Sequence, residues 1–284
     1  MRTALAPCLL ACALHACQAT SARPPEGIER VVLHVDADGL SGLARDGDGA
    51  LWAIAESAGP LVRIEGARGI PVPLDGVPAG LDTESLAWLG EDRFAIGTES
   101  MHSGRPGDLI LIARLEGARA RVVDRVTLDY AELGIEAEEN HGIEALCAAG
   151  GRLFAVTESV RTVGGSRRAS LAIYSLAEGR WEGTREIVLG SETGKIAGLA
   201  CRTRGAVVEA HAVERHFGVA RILRFELAPG ARDLVRPSVV RNLDGRLDGD
   251  PNLEGIEHDA RGLVLIVDNH YRVRTGPNEL VYVR

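Results

Sequence analysis

Six acidic residues recur at matched positions along this 284-residue chain. Glu84, Glu144 and Glu254 each stand two residues before a Leu or Ile, in "TESLAW", "IEALCA" and "LEGIEH". Glu99, Glu158 and Asp268 each close the apolar run that follows, in "RFAIGTE", "RLFAVTE" and "GLVLIVD". Carboxylates that converge where water is scarce repel one another unless a cation joins them or protons are taken up. An all-oxygen donor set selects a hard cation, with Ca2+ ahead of Mg2+ or Mn2+ because calcium accepts an irregular cage. Asp82, Asn140 and Asn252 lie close in sequence to these Glu and offer further oxygens. Basic residues follow the same runs: Arg105, Arg161, Arg215 and Arg272 can fork onto an anion, and His141, His211 and His270 can move a proton. An acidic cation site rimmed by Arg and His is a receptor for a small anionic ester. Neutralisation of the Glu by the same Arg is the competing reading.

What would bring these residues together is a repeat. "LSGLARDGDGALWAIAES" (40–57), "TESLAWLGEDRFAIGTES" (83–100), "IEALCAAGGRLFAVTES" (143–159), "IAGLACRTRGAVVEAHA" (196–212) and "LEGIEHDARGLVLIVDN" (253–269) align as β-hairpins, each with a polar or Gly-containing turn between apolar runs. Further strand-like runs between them, such as "DLILIARLEG" and "ARVVDRVTLDY", bring each repeat to four strands. Repeats of about fifty residues with four strands apiece predict an all-β chain folded as a single β-propeller. Five four-stranded blades follow, the last completed by the N-terminal run "ERVVLHV" at Glu29–Val35, so that no sheet edge is left free. Six blades would need a repeat that the sequence does not contain. In register, the first acidic position reads Ser41, Glu84, Glu144, Ala197 and Glu254, and the second reads Glu56, Glu99, Glu158, His211 and Asp268. The start of one hairpin strand and the end of its partner lie at the same end, so both sets are expected at one mouth of the propeller.

The chain carries 45% hydrophobic residues, a net charge of −8 and a single Lys, Lys195, to which no role falls from the sequence. This composition fits a folded domain with a sizeable core, and it offers no basic footprint for nucleic acid. Residues 1–16 read as a signal peptide, with Arg2 ahead of an apolar run too short for a good spanning helix. Leu14-His15-Ala16-Cys17 resembles a bacterial lipobox, although His15 departs from its usual residues. Residues 17–28 are then a linker whose Cys17 can carry a lipid, and 29–284 are the propeller. The expected location is outside the cytoplasm: periplasmic, anchored to the outer membrane through lipidated Cys17, or secreted. Cys147 and Cys201 are the two cysteines of the propeller, either paired or buried as small hydrophobes.

The motifs "DTESLAW", "NHGIEAL" and "PNLEGIEHDARGLVLIVDNH" resemble the family described as esterase-like activity of phytase, over Asp36 to Arg284. SdiA-regulated proteins and calcium-dependent lactonases are more distantly similar. The resemblance implies an exported, metal-dependent hydrolase of phosphoesters or other esters. Position by position it selects Glu84, Glu144 and Glu254, with Glu99, Glu158 and Asp268 behind them, and it fails at Ser41 and Ala197. Alternatives are a lactonase, or a non-catalytic envelope propeller that binds a ligand or protein around a structural cation. No G-x-S-x-G elbow supports a nucleophilic triad.

Overall fold

The structure is a computed structural model that describes residues 26–100, 105–135, 141–228, 233–268 and 276–284. It is all-β, with 68% of residues in strands and 2% in helix, arranged as a five-bladed propeller. Each blade begins on the channel with the first strand of a repeated hairpin: Leu40–Arg45, Leu81–Gly90, Ile143–Ala149, Lys195–Arg204 and Asn252–Asp259. These innermost strands neighbour one another in ring order, and the ring closes from the fifth blade onto the first. The fifth blade takes its outermost strand from the N-terminal side of the chain, with Ile28–Val32 antiparallel to Glu279–Val283. The expected closure by an N-terminal strand is thus the observed one.

A single blade has two apolar faces, and the ring hides both. The buried apolar side chains form five clusters, one between each pair of adjacent blades. Between blades one and two, Phe94 lies against Trp52 and Trp88, with ring centroids 5.3 and 4.9 Å away. Leu234–Val235, in the excursion before the last strand of blade four, pairs in parallel with the outer strand of blade three and stitches the two together. The apolar layers lie between blades, and buried polar groups gather at one end of the axis.

Two local features aim those polar groups. The innermost strands approach backbone to backbone, and in blades one and four only glycine fits at the contact. A Cβ on Gly42 would lie 2.3 Å from the Leu86 nitrogen, and one on Gly198 would lie 2.3 Å from the Glu254 carbonyl oxygen. Every innermost hairpin also shifts register at the same place, between Leu40/Leu43, Thr83/Ser85, Ile143/Ala145, Ile196/Gly198 and Leu253/Ile256. The residues caught in these bulges include Ser41, Glu84, Glu144, Ala197 and Glu254. A bulge leaves its extra residue unpaired and re-aims its side chain. The repeated acidic position is therefore also the repeated bulge.

Candidate functional site: a carboxylate mouth

At the bulged end of the channel, Glu84, Glu99, Glu144, Glu158, Glu254 and Asp268 are all buried. Glu56 and Asp82 join them electrostatically, each raising the pKa of Glu84. Among the described residues, ligand atoms of Glu99, Glu144 and Glu158 come within 4.8 Å of one another. This closest trio draws on both repeated positions and on two adjacent blades. Its members come from Arg93–Ser100, Ile143–Ala149 and Arg152–Val163.

The electrostatic strain shows in protonation. Burial, reinforced by Glu99, pushes the Glu144 carboxyl up to about 7, although Lys195 and Arg215 oppose the shift. Burial likewise lifts Glu254 to about 7 against the pull of Arg215. Glu56 is pushed up to about 9 by burial and then by Asp268 and Glu254, and burial and Glu144 hold Glu84 well above the carboxylate range. Burial also raises Glu99, against the opposing pull of its hydrogen bond with Glu144. A set of buried acids forced to hold protons is one that a dication would relieve.

Blade four answers with the opposite charge. Its bulge carries Ala197 in place of Glu, and the ends of its hairpin strands, Lys195 and Arg215, face each other in register. Lys195 makes an ion pair with Glu158, and Arg215 makes one with Glu254. Asn252 completes this side by donating to Glu254 Oε1 at 2.8 Å and to Asp268 Oδ2 at 2.7 Å. Burial and the neighbouring Arg215 pull the Lys195 ammonium below its usual range. Glu254 Oε2 and the hydroxyls of Ser41 and Thr157 are buried without a hydrogen-bond partner, and all three are oxygen donors. The donor chemistry of the mouth therefore fits a hard cation.

The structure also shows where the other sequence-selected residues lie. His141 faces the trio, with Nε2 3.8 Å from Glu158 Oε2. Arg105 forks onto Asp108 at 2.6 and 2.8 Å beside Tyr130. Arg161 and Arg168 share Glu186 on the outer strand of blade three. Neither Arg105 nor Arg161 is presented to the channel as an unpaired fork. His211 is not at the mouth: it pairs with Ala200 in mid-strand, while Arg215 stands in register with Glu99 and Glu158. The reason is strand length. Val207–His216 runs on past His211, and its polar residues Glu209, His211 and Glu214 are buried within it, so an interrupted apolar run does not mark its end. His270, Arg272 and Asn140 lie outside the described residues, as do the segment 1–16 and Cys17.

Below the mouth, the channel holds a cavity of about 160 Å3 whose lining includes Arg45, Trp88, Leu146 and Glu257. The Cys147–Cys201 disulfide also borders it and ties the innermost strands of blades three and four together. Of the two readings open for these cysteines, the structure takes the paired one.

No family model matches the chain, and no curated protein matches it. Solved structures do. A luciferin-regenerating enzyme superposes with a TM-score of 0.52 at 13% identity, over 90% of this chain and 81% of that one. A PQQ-bound aldose sugar dehydrogenase from Streptomyces coelicolor (TM-score 0.48, 14% identity, 92% and 100% covered) and a thermostable family-43 glycoside hydrolase (0.49, 9%, 88% and 91%) are further neighbours. At such identities the likeness is one of fold. The propeller is shared; the phytase-like activity implied by the sequence motifs is a proposal.

Proposed function

We propose that the mouth binds a divalent cation and that the protein hydrolyses small anionic esters, phosphoesters first among them. The observation that carries this reading is the trio Glu99, Glu144 and Glu158, held within 4.8 Å in a buried, acid-rich mouth. Glu84, Glu254 and Asp268 supply the surrounding oxygens, and Ca2+ suits them best, with Mg2+ or Mn2+ as alternatives. When bound, such a cation polarises an ester or phosphoryl oxygen and acidifies water. Lys195 and Arg215, beside the trio on blade four, hold the anionic group of the substrate. His141, beside Glu158, exchanges the proton. The resemblance to esterase-like phytases agrees with this assignment. The signal-like N-terminal segment and the disulfide support an exported location, periplasmic or anchored through Cys17, since disulfides persist in oxidising compartments.

The test is turnover of aryl phosphomonoester, phosphodiester, carboxylic ester and lactone substrates by chelator-treated protein, with and without Ca2+, Mg2+ or Mn2+. Cation-dependent turnover is expected, and Glu144→Gln should lower it and the calcium affinity by roughly 100-fold, at least as much as loss of an outer-shell partner costs a metal site. Calcium that raises the melting temperature without any turnover would assign the mouth to ligand binding around a structural cation. Turnover of lactones alone would make the protein a lactonase.

A further inference from the structure

Strand Val207–His216 turns one face toward blade five, and that face carries two chemistries. Arg215 reaches Glu254 at the mouth, and Val213 packs in the apolar layer with Leu253 and Ile256. Beyond that layer, toward the opposite end of the channel, the same face presents His211 and Glu209. His258 meets them from the innermost strand of blade five, with its Nε2 3.1 Å from His211 Nδ1. Ligand atoms of Glu209, His211 and His258 all lie within 4.8 Å of one another.

We infer that Glu209, His211 and His258 form a second metal site, for a borderline transition-metal dication such as Zn2+ or Ni2+. Two imidazole nitrogens and a carboxylate are a donor set that suits these ions, unlike the oxygen-only mouth. The spacing agrees. Two nitrogens each about 2.1 Å from one ion stand about 3.0 Å apart at a right angle and about 3.4 Å apart at the tetrahedral angle. Glu257 Oε1 accepts from the His258 backbone N–H at 2.6 Å and lies 3.5 Å from His258 Nδ1, so a carboxylate stands beside the ring nitrogen that is not turned to His211. Arg202, Arg204 and Arg224 surround Glu209, and Glu226 lies 3.6 Å from Arg224. Glu209, Glu226 and Glu257 offset these three arginines in formal charge. The side chains of the three arginines are 45, 53 and 41% exposed, which lets one swing away and release a Glu209 oxygen. Glu257, the neighbour of His258, lines the cavity of the lower channel. Nothing in this site depends on the mouth.

The experiment is calorimetric titration of chelator-treated protein with Zn2+ and Ni2+, alongside Co2+ loading followed by visible absorption. With excess Ca2+ present to fill the mouth, the wild type and Glu144→Gln should each take up one equivalent and show the same cobalt bands. His211→Ala should bind at least tenfold more weakly and lose those bands. His258→Gln, at a partly exposed side chain that should not disturb folding, should do the same, with melting in chelator confirming that both variants are folded. Absence of binding by the wild type overturns the inference. So does affinity that is unchanged in both folded histidine variants, or affinity that disappears with Glu144→Gln alone.

Discussion

The hairpins of blades three and four are built alike and charged oppositely. Both bulge at the same place, after Ile143 in one and Ile196 in the other. Blade three fills the bulge with Glu144 and brings Glu158 to the mouth on its second strand, which runs on to Val163. Blade four fills the bulge with Ala197 and brings Lys195 and Arg215 to the same level. The bulge thus aims whatever residue it holds, and the blade sets only the sign of the charge. Of the ion pairs that follow, one joins blade four to its neighbour on one side through Lys195 and Glu158, and the other joins it to blade five through Arg215 and Glu254. The mouth is therefore asymmetric, acidic around most of its rim and cationic along one blade.

The largest break in this comparison is mechanical. The Cys147–Cys201 disulfide closes a separation of 54 residues between the two blades. The loop-entropy model assigns such a closure about 4 kcal/mol. A Cys147→Ser/Cys201→Ser variant should melt roughly 10 °C lower, given about 2–4 °C per kcal/mol for a protein near this size. An unchanged melting temperature would show that the inter-blade apolar layer alone fixes the two hairpins.

Acidity is the next lever. Glu144 and Glu254 have folded pKa values raised from 4.5 to about 7. A carboxyl whose pKa is raised on folding stabilises the protein fully below its unfolded value and loses that contribution as pH climbs through its folded value. In chelator, melting should therefore fall by several degrees between pH 5 and pH 8, and calcium should restore most of the loss at pH 8, because it favours the ionised form. A flat profile in chelator would mean that Lys195 and Arg215 already neutralise the acids. Glu144→Gln should flatten the profile while it weakens calcium, which separates a binding role from a structural one.

The smallest effect is expected from the cationic side. Lys195→Met frees Glu158 and removes one positive charge from the mouth, so calcium affinity should rise about tenfold, equivalent to ~1.4 kcal/mol. The KM for an anionic ester should rise at the same time. If calcium affinity falls, the Lys195–Glu158 pair supports the trio instead of competing with a cation.

The repeat made much of this molecule legible. Each hairpin has apolar runs on both sides of a turn, and five copies imply five blades. The run at Glu29–Val35 had no other partner than the incomplete last repeat, and Ile28–Val32 pairs there. Glu84, Glu144 and Glu254 were legible because a position that recurs in register recurs in space. Lys195 was not, since a single lysine repeats nothing; its only trace is its place immediately before Ile196, where Asp82 and Asn252 stand in their own blades. His211 was misplaced because polar residues within a buried strand resemble a strand end.

By itself the sequence determined the blade number, the closure and the level of the channel at which the acids lie, because these follow from periodicity. Only the tertiary structure decided which carboxylates form the closest set and which cations enter among them. It also decided that His211 meets His258 at the far end of the same blade interface. Those choices depend on which faces of neighbouring blades meet, and a repeat, being the same in every blade, carries no information about the differences between them.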